Sequence, residues 1–395
     1  MRILILGAGG FIGGRTVAAL LLRGHSIICA GRQPGYLRQR FPRCEVLEAS
    51  LTNDTADVWR ARMDGVEGVI NAAGVLRGEL ESVHHRGPIE LFKACAEVGV
   101  AHLVQISALG AGKQPDSHFL ATKHAADLHL LKLAEERSMR GWCVVRPSLV
   151  IGRGGGSTEL FSALAAAPRP IRLGNGSWLL QPIHIKDPAC VIASLIESSV
   201  VPPLLDAVGP EAMTTDELTR ILRGWLGLPP REFVTLPLRH IRVGAWVGDR
   251  MPTASLNNET LLMLSRGNTS DVAPVAGVLG RTLSPLEAAL SGEPSFRADR
   301  WFARMLPVRG ILVAAVAAVW IGSGIASFAL APDRAEALLC RITSDPASAM
   351  VFTWAGAALD VFLGSVVLVR RWRRRILQAQ ALGLYVLTCR SLYLI

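Results

Sequence analysis

A glycine-rich turn near the N-terminus constrains the fold of this chain more than any other feature. The apolar run Arg2 to Leu6 is typical of a β-strand, and Gly7, Gly10 and Gly13 follow it directly. An amphipathic stretch from about Phe11 to Arg23 then predicts a helix. A strand, a tight glycine turn and a helix in this order predict the first unit of a doubly wound α/β sheet.

The next residues continue this alternation of short β-rich runs and helical stretches. The pattern predicts strands at 26–30, 45–49, 68–71, 102–106 and 142–146, with helices at 88–98 and 122–137. We therefore expect a Rossmann-like parallel sheet over 1–152, completed by a small α/β substrate region over 153–298. In that region GRGGGST is predicted to be a loop, and Asp187 is expected to cap a helix. The further helices are expected at 187–198, 215–226, 257–265 and 285–291.

Each glycine of the turn has a physical role in binding a dinucleotide. One permits the sharp turn, one lets the backbone approach the pyrophosphate, and one allows the helix to pack closely on the sheet. The N-terminus of the helix, at Phe11 and Ile12, offers unpaired N–H groups to the phosphates. We therefore expect these two residues and Gly7, Gly10 and Gly13 to bind a dinucleotide, with a glycine turn that has no ligand as the alternative.

The end of the second strand bears on which dinucleotide is bound. NAD enzymes usually carry an acidic residue there to hold the ribose 2′-hydroxyl, but this chain reads Ala30-Gly31-Arg32-Gln33. Arg32 can pair with a 2′-phosphate. The sequence therefore predicts NADP(H) in preference to NAD(H), and a solvated loop arginine is the alternative.

The C-terminal part has the composition of a membrane domain, which we expect over 299–395. Residues 310–332 carry no charge and 346–369 carry only Asp360, while about 20 apolar residues suffice to cross a bilayer. A third apolar stretch, within 376–395, is shorter and is left open as a span or a buried helix. Buried core helices are the alternative for all three.

Basic residues flank these apolar stretches and account for most of the net charge of +10. Residues 300–395 hold eleven arginines, no lysine and four acidic residues. Arginines beside apolar spans usually face the cytoplasm and its anionic lipids, so this distribution favours membrane lipids over nucleic acid as a partner. We expect residues 1–309 in the cytoplasm, at a cytoplasmic membrane that the chain crosses more than once.

Several segments resemble a known family in that family's order. They are ILGAGGFIG, VINAAG, GVAHLVQISALGA, CVVRPSLVIGRGG, QPIHIKD and AVGP, over roughly residues 1–300. They resemble the atypical, NmrA-like branch of the short-chain dehydrogenase/reductase superfamily, which includes the 39-kDa accessory subunit of respiratory complex I. In the tail, WIGSGIAS and ALDVFLG resemble the DoxX-like membrane domain that is fused to such reductases in some bacteria.

The resemblance implies further cofactor contacts. Ala72, Ala73 and Gly74 would line the adenosine and nicotinamide-ribose side, and Ser148 would lie near the nicotinamide. Ser50-Leu51 occupies the place where the family usually has Asp-Leu beside the adenine, so one usual contact is missing.

The catalytic residues are where the chain departs from this family. Members usually have a Tyr that donates a proton while hydride adds to a carbonyl, and a Lys that lowers the Tyr pKa and holds the ribose. Here Phe119 stands four residues before Lys123, and a phenyl ring cannot donate that proton. The three tyrosines lie elsewhere, at Tyr36, Tyr385 and Tyr393.

Ser107 and Lys123 remain the candidate catalytic residues, and Lys123 is also a candidate ribose ligand. The alternatives are a hydroxyl that caps a strand end and a surface lysine. His118 is a weaker candidate proton donor, and both it and His124 are otherwise expected to be exposed. The adjacent His84-His85 pair and the seven cysteines lack metal-ligand spacing, so the sequence predicts no metal site.

Two functions are consistent with these residues. The first is a membrane-anchored, NADPH-dependent oxidoreductase that transfers hydride to a lipophilic carbonyl or quinone-like substrate, with a membrane redox partner left open. The second is a non-catalytic NADPH-binding protein with a structural or redox-sensing role, which Phe119 favours. Asp360 is expected to make a structural polar contact inside its span, with quinone or proton chemistry as the alternative.

Overall fold

The chain forms two compact units, Met1–Ala303 and Arg304–Ile395. The computed structural model describes residues 1–112, 115, 117–250, 256–330, 346–369 and 372–382. The described strands all lie in the first unit, and the second is helical over its described residues.

The strands begin with the one directly before the glycine turn. Their bounds are β1 Arg2–Leu6, β2 Ser26–Gly31, β3 Glu45–Glu48, β4 Gly68–Asn71, β5 His102–Ile106, β6 Gly141–Pro147, β7 Val150–Ile151, β8 Ile171–Leu173, β9 Leu179–Leu180, β10 Ile183–His184, β11 Leu204–Ala207, β12 Met213–Thr214 and β13 Val234–Leu236.

The helices alternate with the strands over the first half of the chain and dominate the second half. Their bounds are α1 Phe11–Leu22, α2 Pro34–Arg40, α3 Ala56–Ala61, α4 Gly87–Val98, α5 His118–Glu136, α6 Gly156–Ala166, α7 Lys186–Glu197, α8 Thr215–Trp225, α9 Leu238–Arg250, α10 Asn258–Arg266, α11 Ala273–Leu279, α12 Leu286–Ser291, α13 Arg297–Ile325 and α14 Pro346–Leu368. Short π-helical segments cover Ser82–Arg86 and Ala326–Leu330, and residues 372–382 are helical.

The main sheet has the strand order β11-β6-β5-β4-β1-β2-β3, and all its neighbouring strands are parallel. From β1 the chain moves outward through β2 and β3, and then returns to the other side of β1 as β4. The carboxyl ends of β1 and β4 therefore flank the switch point at which doubly wound sheets bind their ligands. The predicted Rossmann-like fold is confirmed.

Both faces of this sheet are buried, because helices cover each one. Ile3 and Ile5 pack in an apolar layer with residues of α1 and α7, while Leu4 and Leu6 pack in a second layer with residues of α4 and α5. All four side chains are at most 2% exposed. Burial on both faces explains why the strands are continuous apolar runs rather than alternating polar and apolar residues.

A third apolar layer lies in the region that follows the sheet strands β1 to β6. Side chains of α6, α8, α10 and α12 pack together there. α8 begins at a reciprocal cap, in which the Glu217 N–H donates to Thr214 Oγ1 (3.2 Å) and the Thr214 N–H donates to Glu217 Oε2 (2.7 Å). Such a pair satisfies N–H groups that a helix start otherwise leaves free.

The structure corrects three local predictions. α5 begins at His118 rather than Thr122, because the Ser117 hydroxyl oxygen accepts the Leu120 N–H (3.2 Å) and caps the helix earlier. The GRGGGST segment is not all loop, since α6 begins at its last glycine. Asp187 lies inside the first turn of α7 and does not cap the helix. Its carboxylate instead accepts a hydrogen bond from the Arg281 side chain (2.7 Å).

Among the described residues, two helices are long and apolar enough to cross a membrane. They are Arg297–Phe328, with mean hydropathy 2.1, and Met350–Leu368, with mean hydropathy 1.8. Together they contain most of the predicted spans 310–332 and 346–369. Residues 331, 332 and 383–395 lie outside the described residues, so the third predicted stretch is described only up to 382.

Small residues bring α13 and α14 close together in the second unit. A Cβ atom on Gly324 would lie 2.6 Å from the carbonyl oxygen of Ala357, which leaves no room for a side chain. Beside this contact the Ser323 hydroxyl donates to Asp360 (3.1 Å). Asp360 therefore makes the structural polar contact that was expected of it.

We predict that Gly13→Ala destabilises the first unit. A Cβ atom on Gly13 would lie 2.3 Å from the carbonyl oxygen of Gly7, and neither backbone can move without displacing the turn. Overpacking of this kind costs about 1–3 kcal/mol in the free energy of unfolding. Thermal unfolding of the full chain in detergent measures the change.

The matched control is Gly224→Ala in α8, where a Cβ atom would meet no atom of the described residues within 4 Å. Alanine is the better helix former, so we expect this variant to be as stable as the original or more stable, by up to about 1 kcal/mol. Equal effects of the two substitutions would contradict the close approach at Gly13.

Candidate cofactor site and active site

The glycine turn is held in its shape by contacts that only glycine allows. Gly7 has φ +76°, and a Cβ atom there would lie 2.7 Å from the carbonyl carbon of Ala72 at the end of β4. The Gly7 N–H donates to Ala30 of β2 (3.1 Å), and the Gly10 N–H donates back to Gly7 (2.9 Å). The turn is therefore fixed against the carboxyl ends of both neighbouring strands.

α1 begins immediately after this turn, with Gly10 as its cap and no side chain bonded to its free N–H groups. Its first turn contains no acidic residue. The positive end of the helix and its unpaired N–H groups are thus available to an anion such as a pyrophosphate. The predicted ligands Phe11, Ile12 and Gly13 form this first turn.

A cavity of about 320 Å³ lies over the carboxyl ends of β1, β2 and β4. Of the predicted cofactor ligands, those that line it are Gly7, Gly10, Arg32, Ser50, Leu51, Ala72, Ala73 and Gly74. Sequence reasoning missed Gly9, Gln33, Tyr36, Thr52, Val75 and Val83, which also line it. The other predicted ligands, Phe11, Ile12, Gly13, Lys123 and Ser148, lie outside this lining, and their contacts with a cofactor stay predictions.

The rim of the cavity on the β2 side is basic. Arg32 is exposed, makes no ion pair with any described residue, and shares a lining that contains no carboxylate. The Arg40 guanidinium donates to the carbonyl of Gly9 (2.7 Å) and to the hydroxyl of Tyr36 (2.8 Å), which fixes the Tyr36 ring beside the glycine turn. Near Ser50, the Asp54 carboxylate is already paired with Arg62 (2.7 Å).

A buried polar cluster lies at the carboxyl ends of β5 and β6. The Ser107 hydroxyl donates to Asp127 (2.8 Å), and Arg146 donates to the same carboxylate oxygen (2.9 Å). Burial raises the pKa of Asp127, whereas Arg146 and the Ser107 hydroxyl lower it. Asp127 and Arg146 were not predicted, although Asp127 follows Lys123 by one helical turn and so lies on the same face of α5.

Lys123 is buried, so the alternative interpretation of this residue as a surface lysine is wrong. Its side chain is 4% exposed and donates to the carbonyl of Ile106 (2.9 Å). Burial lowers the pKa of Lys123 to about 8, against the opposing effect of Asp127. A Cβ atom on Gly74 would lie 3.5 Å from its Nζ atom, so the ammonium group adjoins a residue that lines the cavity.

His84 lies beside Gly74 and Lys123. Its place in the sequence did not indicate this position. Its Nε2 atom accepts the Val75 N–H (3.0 Å), so the ring proton is on Nδ1, which faces Thr122 Oγ1 (3.3 Å). Burial, with a smaller effect of Lys123, lowers the pKa of His84 to about 3. The ring is therefore neutral and serves as a hydrogen-bond acceptor for the loop after β4. Its neighbour His85 turns away and pairs with Glu81 (2.6 Å).

Phe119 occupies the position of the usual tyrosine and lies in an apolar cluster. Its ring is 8% exposed, contacts the His84 ring edge-on with centroids 5.2 Å apart, and packs near Met263 of α10. His118 is exposed as expected, but on the first turn of α5 rather than in a loop. His124 is half-buried beside the carbonyl of Ala111 (3.2 Å), so its expected exposure is wrong.

Ser148 is buried, and its hydroxyl donates to the carbonyl of Gln181 (2.6 Å). This bond joins the end of β6 to the segment before β10. Across the described ranges, which omit 113, 114, 116, 251–255, 331–345, 370–371 and 383–395, no three His, Cys, Asp or Glu side chains are grouped as metal ligands.

The chain matches two families of known proteins. Residues 7–162 match the NAD(P)H-binding family, and residues 317–392 match the DoxX-like family. The first range contains the glycine turn, the cavity and the buried polar cluster. The second contains most of the apolar C-terminal part.

Curated relatives align with the first part of the chain. Divinyl chlorophyllide a 8-vinyl-reductase of Oryza sativa subsp. indica is 28% identical over 267 residues, which are 63% of this chain and 64% of that enzyme. The epimerase family protein SDR39U1 of Bos taurus is 28% identical over 261 residues, which are 60% of this chain and 84% of that protein. The chain thus spans less than two thirds of the rice enzyme.

Solved structures share the fold of this part. UDP-glucose 4-epimerase of Thermus thermophilus, in complex with NAD, superposes with a TM-score of 0.57 at 19% identity, covering 78% of this chain and 100% of that chain. UDP-N-acetylglucosamine 4-epimerase of Bacillus cereus has a TM-score of 0.57 at 14% identity, covering 74% of this chain and 94% of that chain.

The sheet order, the glycine turn and the matched ranges define an NAD(P)-binding protein of the short-chain dehydrogenase/reductase class. In this chain an NAD(P)H-binding domain is followed by a DoxX-like membrane-type domain, and the curated homologues are atypical members of that class. The residues present fit a dinucleotide, because Gly7, Gly10, Ala72, Ala73 and Gly74 line the cavity with backbone and small side chains and the adjoining α1 presents free N–H groups at its first turn.

We predict that His84 makes the stability of the first unit sensitive to acid. In the unfolded chain the His84 ring binds a proton below about pH 6.5, whereas in the folded protein its pKa is about 3 and it stays neutral. The free energy of unfolding therefore decreases as pH falls from 6.5 towards 3. His84→Gln retains an acceptor for Val75 but does not titrate. Between pH 7 and 5 the original protein should lose up to about 1.4 kcal/mol per pH unit more than this variant.

Thermal or urea unfolding at a series of pH values measures the difference. His118→Gln, at an exposed position on α5, controls for the loss of a histidine. Parallel pH dependence of the original protein and His84→Gln would contradict a buried, neutral His84.

Proposed function

We propose that this protein is a membrane-associated, NADPH-dependent oxidoreductase that reduces a lipophilic, quinone-like or conjugated carbonyl acceptor. The observation that carries the proposal is the juxtaposition of Gly74, which lines the cofactor cavity, with the buried ammonium group of Lys123. A cavity built for a dinucleotide therefore leads to buried groups that can bind a ribose and polarise a substrate.

The preference for NADPH rests on the rim of the cavity. Arg32 is an exposed cation with no ion-pair partner among the described residues, and no carboxylate lines the cavity to hold a ribose 2′-hydroxyl. A guanidinium group binds a phosphate through strong, charge-assisted hydrogen bonds. This arrangement favours a cofactor with a 2′-phosphate.

We predict that Arg32→Asp weakens NADPH binding by about 10- to 100-fold, as expected for the loss of a hydrogen-bonded charge pair. NADH binding should be unchanged or stronger, since the new carboxylate can accept the 2′-hydroxyl. Cofactor fluorescence titration of the full chain measures both affinities. Arg38→Asp makes the same charge change outside the cavity lining and should leave the ratio of the two affinities unaltered. Equal losses for both cofactors in Arg32→Asp would refute the 2′-phosphate role.

Membrane association places such a cofactor site beside lipophilic substrates. The DoxX-like domain and the two apolar helices support it, and the arginines that flank these helices favour a cytoplasmic location for the first unit. NADPH is available in that compartment. Lipophilic small molecules and membrane lipids are the partners we propose, and a membrane redox partner would reoxidise the reduced acceptor.

The roles of the chain's own groups follow from their contacts. When bound, NADPH supplies hydride from its nicotinamide ring. Lys123 would hold a ribose hydroxyl, since its Nζ atom adjoins Gly74, and Ser148, which follows β6, would lie near the nicotinamide. The Ser107 hydroxyl donates a hydrogen bond to Asp127, whose pKa burial raises and Arg146 lowers. Ser107 is therefore oriented by Asp127, and its oxygen is free to accept a second hydrogen bond.

Phe119 restricts which acceptors can be reduced. An isolated carbonyl becomes an alkoxide when hydride adds, and a general acid is needed to protonate it quickly. A quinone or a conjugated acceptor becomes a delocalised anion, which water can protonate after release. The rice relative is named for reduction of a vinyl group, which is likewise not an isolated carbonyl. The absence of a phenol at position 119 therefore favours acceptors that stabilise the added charge.

The decisive experiment follows NADPH oxidation by the full chain in lipid nanodiscs, with short-chain quinones and hydrophobic aldehydes as acceptors. We expect quinones to be reduced faster than aldehydes. Phe119→Tyr should raise aldehyde reduction by about 10²- to 10⁴-fold, the usual contribution of a general acid, and change quinone reduction little. Phe119→Leu is the control and should raise neither rate.

A non-catalytic role is the second candidate, and the burial of Phe119 in an apolar cluster favours it. NADPH would then be a structural or redox-sensing ligand. Tight NADPH binding without reduction of any acceptor, in both the original protein and Phe119→Tyr, would establish this role and end the enzyme proposal.

A further inference from the structure

A second cavity, of about 550 Å³, opens between α9 and α10. Its volume is in the range of ligand sites in proteins, about 300–1,000 Å³. Most of its lining is apolar. The lining includes Trp178, Leu238, Arg242, Val243, Trp246 and Leu261. None of its lining residues lines the cofactor cavity.

α10 separates this cavity from the proposed active site. Leu261, Leu262 and Ser265 face the cavity, whereas Met263 packs in the cluster that contains Phe119. Residues on a helix turn by about 100° each, so Met263 lies on the side of α10 opposite the cavity. The cavity is therefore a separate feature and not an extension of the cofactor site.

The lining of the cavity carries a positive charge, while Asp249, farther along α9, accepts hydrogen bonds from Asn258 of the lining. Arg242 is the one charged residue of its described lining, and no ion pair of the described residues includes it. On α9, residues 238–246 contain Arg239, His240 and Arg242 but no acidic residue. An apolar cavity beside an unpaired guanidinium group fits an amphipathic anion.

The side of α9 that lines the cavity is also exposed to solvent. Leu238 is 38% exposed, Val243 61% and Trp246 53%, and all three lie on one stripe of the helix with Arg242. Large apolar side chains are rarely grouped on a free surface. A helix with exposed tryptophan and aliphatic residues beside arginines is typical of helices that lie at a membrane surface.

We propose that the α9–α10 cavity binds an anionic phospholipid of the bilayer. An acyl chain would occupy the apolar lining, the Arg242 guanidinium group would bind the lipid phosphate, and Val243 and Trp246 would lie among the headgroups. Two observations favour a bilayer lipid over a soluble ligand: the stripe continues from the cavity onto the exposed surface of α9, and the same chain carries two membrane-length apolar helices. α9 is thereby a second, peripheral membrane contact of this protein.

Hydrogen–deuterium exchange of the full chain in nanodiscs tests this proposal. One set of nanodiscs contains phosphatidylcholine only, and the other contains phosphatidylcholine mixed with phosphatidylglycerol. We expect the amides of residues 238–246 to exchange at least about fivefold more slowly in the mixed nanodiscs, as expected when one basic side chain binds an anionic surface. Arg242→Glu should abolish this difference. Arg137→Glu, the same charge change at an exposed position elsewhere in the first unit, should retain it.

A second pair of variants tests the apolar part of the contact. Val243→Asp should remove the protection of 238–246 in the mixed nanodiscs, whereas Val243→Leu should keep it. Unchanged exchange of the β1 amides verifies that each variant is folded. Both substitutions replace a side chain that is 61% exposed, so neither disturbs the core.

Equal exchange of 238–246 in the two kinds of nanodisc would overturn the proposal. Protection that persists in Arg242→Glu would do the same, and protection that rises with protein concentration in detergent would assign this surface to a second copy of the chain. NADPH affinity is measured on the same samples. Loss of the lipid effect with intact NADPH binding would reject this inference alone and leave the proposed function standing.

Discussion

The close approach of the glycine turn to the end of β4 is the contact on which the rest of the first unit depends. Gly7 meets the backbone of Ala72 and Ala73, and Gly13 meets the carbonyl of Gly7, at distances that exclude any side chain. The same contact positions the start of α1 over the switch point of the sheet. Fold and cofactor cavity therefore arise from one constraint, since the same glycine turn lets α1 pack on the sheet and lines the cavity with backbone.

The cofactor cavity and the proposed catalytic groups are built from different kinds of residue. The cavity is lined mainly by backbone and small residues, whereas the buried cluster of Ser107, Lys123, Asp127 and Arg146 carries the charges. Burial acts on this cluster in opposite directions, lowering the pKa of Lys123 and raising that of Asp127. Phe119 stands where relatives usually have a tyrosine, and its ring packs among apolar side chains and against the edge of the His84 ring.

The apolar C-terminal part gives this arrangement its cellular context. Helices with mean hydropathy 2.1 and 1.8 suggest membrane association, and the DoxX-like match agrees with it. Within these helices, Gly324 allows a close backbone approach and Ser323 pairs with Asp360, so the one acid of α14 has a partner within the second unit. A lipophilic acceptor would reach such a protein by partition into the bilayer, which raises its local concentration.

The sequence by itself determined the elements whose signals are local. β4 and β5 have the predicted bounds 68–71 and 102–106, because parallel strands buried on both faces are short, continuous apolar runs. Glycine spacing likewise identified the turn. Tertiary structure alone decided what depends on distant partners: Arg281 draws Asp187 away from a capping role, His84 is buried against α5, and Arg146 joins Asp127 and Ser107. Local sequence does not settle where these side chains lie, since the free energy that positions each one comes from burial and charge contributed by residues far away in the chain.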